Sequence, residues 1–502
     1  MYQYLSVFAL VTFLVYYYIT RTFRYWSSKN VNGPKPIPFF GNYKDVALRK
    51  QHIGLLYSDL YKQFPKEKVV GFYRLMSPCL LIRDLDVVKQ ILIKDFEAFP
   101  DRGNYFSKEG LTENIFHSDL DTWRFLRKRF TSIFTTSKLK NISNILEKRS
   151  DKFTDYVENV TMKESEQDIY KLVVKYGIDS TMCVIYGLDV DIYNDDVNKL
   201  FRDMDNSGFV ATYDRELDMV FPGAVKTLNR SIFPKQAIEF CHQVLKAGLK
   251  ESNVNNDINF FMDILRSMKK EGNIYTGKLI NNENKPFLEI TDSLLASQIW
   301  ITFLAGYGNS TLSLTYAMYH LACNPEVQDN LIKEIDEAIE KNDAKFTYEI
   351  LKDMKYLEMV FEETLRMHPL TNAVQRRCNQ TIKIDGTDLI IEKGSDIVIS
   401  PYSIQHDERY YPDPEKFDPE RFSPENVKSS HPCAFLSFGA GKRSCLGSRL
   451  AQIQFGICVA KFLSKFRVET TENTVSSIKY DAMKLLLTPA ETIYLRIVPR
   501  HR

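Results

Sequence analysis

The chain has 502 residues, 44% of them hydrophobic, 13% aromatic and 26% charged, with a formal net charge of +2. Such a composition supports a large buried core, and Lys and Arg alternate so evenly with Asp and Glu that no nucleic-acid surface is indicated. The cysteines Cys79, Cys183, Cys241, Cys323, Cys378, Cys433, Cys445 and Cys458 are widely spaced with no CxxC pair, which excludes a secreted disulfide framework and a zinc site and leaves most of them as small buried hydrophobes.

In chain order, residues 1–20 contain no Asp, Glu, Lys or Arg. As a helix they span about 30 Å, the thickness of a bilayer's hydrocarbon core. Tyr16, Tyr17 and Tyr18 suit one interface, and Arg21, Arg24 and Lys29 beside them favour the cytoplasmic side. There is no basic n-region and no small-residue cleavage site, so the segment reads as a retained anchor. Residues 21–41 form a basic, Pro-rich hinge: Pro34, Pro36 and Pro38 remove backbone donors and fix φ, making a stiff spacer. Residues 42–502 contain no linker or repeat and are expected to form one large domain.

Helical apolar spacing is expected over 121–134, 151–186 (with breaks), 235–250, 260–270, 291–323, 325–341 and 351–367, and again from 450 to about 466. Pro325 stops the longest of these. Strand-like pieces are short: 68–73, 79–82, 381–384, 389–391 and 396–400. Segments 252–256 and 277–286 are polar, Asn-rich loops. The class is mainly α, an α-dominated α+β fold with small peripheral sheets.

Four constellations stand out from this frame. Trp123 and Arg127 are four residues apart and share one helix face. In the long helix, Ala305-Gly306-Tyr307-Gly308-Asn309-Ser310 places two glycines mid-helix at about 1 kcal/mol each, which close approach to a flat ligand or a packing kink would offset. Glu363 and Arg366 share a helix face three residues apart, and Pro419-Glu420-Arg421-Phe422 follows. Last, residues 438–447 read Phe-Gly-Ala-Gly-Lys-Arg-Ser-Cys-Leu-Gly. Glycines there permit tight turns and close approach of a flat ligand. Cys445 precedes a helix N-terminus, which stabilises a thiolate. Arg443 suits a carboxylate on a ligand, and Phe438 can shield the sulfur.

The loop matches FxxGxRxCxG at every fixed position and so resembles the haem-binding loop of the cytochrome P-450 family; the resemblance extends over essentially the whole chain. It implies the fold of that family, with one N-terminal transmembrane helix, and haem b held through Cys445 as axial iron ligand, with Phe438, Gly441 and Gly447 around it. It also implies that Trp123, Arg127, Arg376 (with Arg377 as competitor) and Arg443 meet the haem propionates. Glu363, Arg366 and Arg421 would form a buried structural triad. The wording of residues 401–407 and 411–415 is similar to microsomal insect enzymes that oxidise plant toxins and insecticides. The implied reaction is monooxygenation of small lipophilic substrates with O2 and electrons from NADPH through cytochrome P-450 reductase, on the cytoplasmic face of the endoplasmic reticulum membrane. Lys128, Arg129, Lys138, Lys140 and Lys442 are candidate docking cations for that reductase.

One departure matters. Where the family carries an acid and a threonine on the oxygen-binding side, this chain has Gly308 and Asn309, and an amide cannot pass a proton as a hydroxyl does. Ser310 lies about 100° further round the helix. Two alternatives therefore stand beside monooxygenation: isomerisation or dehydration of peroxides, and haem binding with little turnover. Segments 99–120, 206–221, 299–307, 370–374 and 482–487 are the expected pocket walls, apolar and aromatic.

Overall fold

The computed structural model describes residues 2–103, 110–193, 210–221, 223–250, 260–275, 287–342 and 345–500. Loops 252–256 and 277–286 lie outside these, as do residues 104–109 and 206–209 of two expected pocket walls.

Helix α1 (Tyr2–Thr20) has a mean hydropathy of 1.4 over its apolar window and buries none of it in the protein. The chain after it is no free tether. Trp26 is buried, with its indole N–H donating to the Phe72 carbonyl at 3.1 Å. The Gly71 N–H bonds the Asn32 carbonyl at 2.9 Å, and Gly41 bridges Arg74. A Cβ on Gly71 would come within 2.4 Å of the Trp26 ring, so glycine is what lets the tryptophan seat. The expected hinge 21–41 is thus docked on a sheet edge.

That sheet contains β1 (Val69–Arg74), β2 (Ser77–Ile82), β3 (Val374–Arg377) and β4 (Asp396–Ile399) in the spatial order β1-β2-β4-β3. β2 and β4 are parallel; the other pairings are antiparallel. The bulk is helical: α2 (Leu120–Thr131), α3 (Thr136–Thr161), α4 (Ile169–Tyr186), α5 (Asp292–Cys323), α6 (Lys355–Met367) and α7 (Ser448–Lys465) surround the site. Thr291 caps α5 by accepting from the Leu294 N–H, and Asn324-Pro325 ends it. Most of α4 and α5 is buried.

The expected breaks in 151–186 resolve into one, where Glu166–Asp168 leaves the helical path to pair with the C-terminal strand Tyr494–Pro499. One sequence expectation is corrected. Segment 351–367 breaks at Met354 into Tyr348–Asp353 and α6.

Candidate functional site

The cysteine loop is shaped by two glycines in the left-handed region, Gly439 at φ 68° and Gly441 at φ 70°. A Cβ on Gly441 would sit 2.0 Å from the Leu92 carbonyl oxygen, so the loop lies directly on the π-helical turn Gln90–Lys94. The Cys445 N–H donates to the Phe438 carbonyl at 2.8 Å and closes the loop. At Gly447, by contrast, a Cβ would meet only the Phe134 ring at 3.7 Å, an ordinary contact. No polypeptide neighbour requires glycine there. Cys445 is exposed, yet burial is the first influence on its thiol and pushes it up, against the Gly447 N–H and the Arg127 and Arg102 guanidiniums, which pull it down. An exposed group under that much protein lies in an internal recess. Cys433 is fully buried, and burial pushes its thiol to about 11.

Four arginines gather on one side of this recess. Arg127 donates to the Ser444 carbonyl at 2.7 Å and Arg102 to the Arg443 carbonyl at 3.1 Å. Arg443 lies 4.2 Å over the buried Trp123 ring, and Arg376 is 1% exposed. Burial, helped by mutual repulsion, lowers Arg443 to about 9 and Arg376 well below its ordinary value; Arg102 falls to about 10 through burial. Nε of Arg102, Arg376 and Arg443 and Nη1 of Arg443 are buried with no hydrogen-bond acceptor. The Asp101 carboxylate comes no nearer to Arg443 than 3.9 Å. Buried cations of this kind need anions. A flat prosthetic group with two carboxylates and a thiolate ligand fits the set. Arg377, the competitor of Arg376, turns instead toward Asp396 at 3.4 Å. Arg102 was missed in the sequence: it stood inside an expected pocket wall and matched no spacing rule.

Across the recess runs α5. Ala305 is exposed although Leu304 beside it is buried, so this turn of the helix faces the open space. Asn309 donates from Nδ2 to the Ala305 carbonyl at 3.0 Å, tying its amide to its own helix, and Gly308 is buried. Gly306 and Ser310 both make contacts with neighbouring helices. A Cβ on Gly306 would lie 2.7 Å from Thr181, and one on Gly177 would lie 2.5 Å from Thr311, so these glycines bring α4 and α5 together. Close packing on Thr181 is one contact that offsets the cost of Gly306 in the helix. Ser310 donates to Gln454 of α7 at 2.8 Å, and Gln454 donates to Ser180 of α4 at 2.7 Å. Its hydroxyl is turned from the recess into a buried three-helix network.

The expected pocket walls meet in two sets where they are described, one beside the start of α5 and one around 482–487. Gln298 of α5 holds the Ile115 N–H and the Glu113 carbonyl. The Leu487 N–H bonds Leu370, Thr371 bridges Leu486, and Ala211 bonds Met483. Below the cysteine loop, Arg366 grips Glu363 with two bonds of 2.6 and 2.9 Å, both side chains fully buried, and Arg421 stands 3.5 Å from the same carboxylate. Arg366 also donates to the carbonyls of Gln405 and Pro414, which anchor the meander leading to the loop.

Helices crossed over a thiol recess rimmed with buried guanidiniums define an oxidoreductase built around a prosthetic group. A sequence model of the family described as Cytochrome P450 matches residues 31–496. Cytochrome P450 6B1 of Papilio polyxenes is 43% identical over 500 residues, covering 99% of this chain and 100% of that protein. Cytochrome P450 6B2 of Helicoverpa armigera is 43% identical over 496 residues, covering 99% and 98%. Cytochrome P450 6a2 of Drosophila melanogaster is 31% identical over 507 residues, covering 97% and 98%. The chain belongs to the cytochrome P450 family of haem-containing monooxygenases.

Proposed function

We propose a membrane-anchored haem-thiolate monooxygenase that oxidises small lipophilic substrates, drawing electrons from NADPH through cytochrome P-450 reductase. The observation that carries this is the recess itself, with an exposed thiol at its floor and acceptor-less buried guanidiniums at its rim. In this reading the Cys445 thiolate binds the iron, the Gly447 N–H tempers its charge, and Phe438 limits water at the sulfur. Trp123, Arg127, Arg376 and Arg443, joined by Arg102, hold the propionates. Bound haem supplies the oxygen activation. Ala305 leaves room for the substrate. Gly308 and Asn309 offer no acid or hydroxyl, so protons arrive through water. Purified protein should bind haem, show the thiolate-type band with carbon monoxide when reduced, and yield oxygenated product with reductase and NADPH. Absence of both band and product would refute the proposal.

The absent acid and the tethered Asn309 amide favour one second reading, conversion of hydroperoxides without reductase. Turnover of a lipid hydroperoxide with no NADPH would select it over the first.

For the membrane, α1 supplies the anchor, on the endoplasmic reticulum with the catalytic domain facing the cytoplasm. A second apolar contact adjoins it: Ile37, Phe39, Leu48 and Tyr213 are exposed, and the Tyr213 hydroxyl bonds the Ala47 carbonyl at 3.2 Å. Deleting residues 1–20 should free the protein only partly from phosphatidylcholine vesicles. Complete release would limit the contact to α1.

A further inference from the structure

The pocket wall at 482–487 is the end of a hairpin in the C-terminal tail, closed where Tyr480 pairs with Pro489 and the Asp481 N–H bonds the Thr488 carbonyl at 2.9 Å. Leu485, Leu486 and Leu487 form no continuous strand, so their backbone is held one bond at a time. Asn372 donates to the Leu485 carbonyl at 2.9 Å, and the Leu487 N–H donates to the Leu370 carbonyl at 3.0 Å. The Tyr316 hydroxyl of α5 donates to the Leu487 carbonyl. Residues 370–373 lead into β3, which carries Arg376, and α5 carries Asn309. The three leucines are thus suspended between two elements that bound the recess.

The Leu486 carbonyl goes to a residue far away in the chain. His52 is buried, at 1% exposed, and its Nε2 lies 3.2 Å from that carbonyl. The same ring caps the helix Ile53–Gln63, with Nδ1 accepting from the Gly54 N–H at 3.0 Å. Accepting at Nδ1 places the ring proton on Nε2, so His52 donates to Leu486. Burial lowers the ring to about 4, which keeps it neutral at pH 7. The fit is close: a Cβ on Gly54 would stand 3.1 Å from Nδ1 and 3.3 Å from Leu487. The Thr488 hydroxyl reaches the Leu486 carbonyl only at 3.3 Å. A helix cap needs no more than a short side-chain oxygen, as Ser, Asp or Asn provides. Histidine adds a donor on the far side of a rigid ring, aimed away from the helix it caps. We propose that His52 is a positioning residue for substrate selection, holding Leu485–Leu487 through the Leu486 carbonyl as a fixed wall of the recess. The inference rests on the haem-thiolate reading above. A lipophilic substrate makes few directed bonds, so the shape of the walls sets its pose, and a wall fixed in advance costs less to order on binding.

The test reads dissociation constants of two ligands of the haem-loaded, full-length protein, imidazole and its rigid N-biphenylyl derivative, from the shift of the haem absorbance band. Imidazole is too small to need the wall, whereas the biphenyl group must lie along it. His52→Asn keeps a capping oxygen for Gly54 but is too short to reach Leu486. It should weaken the biphenyl ligand about fivefold relative to imidazole. His52→Gln sets an amide donor near the place of Nε2 and gives up the cap. It should melt earlier yet keep both affinities within about twofold. A role confined to the helix cap would give the reverse order, with Gln the more damaging change. If His52→Asn loads no haem, His52→Ser, which also caps without reaching the wall, replaces it with the same expected ratio. Unchanged biphenyl affinity in the capping variant, equal losses in the Asn and Gln variants, or an equal loss of imidazole affinity overturns the inference. A parent protein without the reduced carbon monoxide band instead refutes the haem-thiolate reading.

Discussion

The two sides of the recess are built by opposite means. On the cysteine side, nearly every group is fixed by a partner that leaves it no freedom: Gly441 against Leu92, the Cys445 N–H on Phe438, Arg127 on Ser444, Arg366 on Glu363. On the α5 side, the helix surface facing the recess carries an alanine and an amide bonded to its own backbone, while the hydroxyl of Ser310 is buried in a contact behind it. Rigidity is concentrated where a prosthetic group must be held. The opposite wall is left chemically plain, and in the proposed reaction it is the wall that would decide the outcome.

Breaking the fixed side should do the most damage. Cys445→Ala should abolish the reduced carbon monoxide band and all turnover, while far-ultraviolet circular dichroism persists; a retained band would mean another ligand. Next comes Arg366→Ala, which strands Glu363 at full burial and should cost about 3–5 kcal/mol, read as a lower urea midpoint or as loss of haem-loaded protein. A shift under about 1 kcal/mol would show that Arg421 suffices to pair the carboxylate.

A third effect joins the two sides. His320 and His368 meet Nε2 to Nε2 at 2.7 Å, His368 Nδ1 meets the Tyr480 hydroxyl at 2.8 Å, and His406 stacks on Tyr402. Burial, with Arg366 adding to it, lowers His320 and His406 to about 3 from an ordinary 6.5, and His368 falls well below 6.5 through burial and His320. Folded values below the unfolded ones mean that the unfolded chain binds protons first. Stability is thus full above pH 6.5 and declines as pH falls from there toward 3. The melting midpoint should drop between about pH 7 and about pH 5, and His320→Phe should flatten that slope; a parent slope already flat would exclude it. Smaller still, Gly306→Ala should cost about 1–3 kcal/mol through its clash with Thr181, with the haem band unchanged. A change in that band would return Gly306 to the recess.

The sequence revealed the cysteine side because its motif is local: five fixed residues in ten, closing on each other within one loop. The glutamate–arginine pair was legible for the same reason, being one helical turn apart. The buried arginine set was only partly so. Trp123, Arg127 and Arg443 sat in recognisable spacings, whereas Arg102 reaches the recess by a turn that no periodicity announces. The helix contacts of Gly306 and Ser310 were not legible because a motif gives positions along α5 but not which neighbouring helix each position meets. Long-range pairings were the least visible. The strand Glu166–Asp168 exists only because Tyr494–Pro499 returns beside it, and the Pro-rich segment docks through Trp26 and a glycine some forty positions away.

The smallest and most informative change lies on the plain wall. Gly308→Glu with Asn309→Thr would supply the acid and hydroxyl that this wall lacks. Replacing Asn309 would also release the Ala305 carbonyl from the amide that now bonds it, and replacing Gly308 removes a mid-helix glycine worth about 1 kcal/mol of helix propensity. Neither change touches the cysteine side, so the haem band and reductase affinity should stay as they are. What should move is the partition of NADPH: the parent should release more hydrogen peroxide per NADPH consumed, and the double variant severalfold less. Equal peroxide yields in the two proteins would show that ordered water already delivers protons to this wall. In that case its plainness governs which substrates fit and not how oxygen is activated.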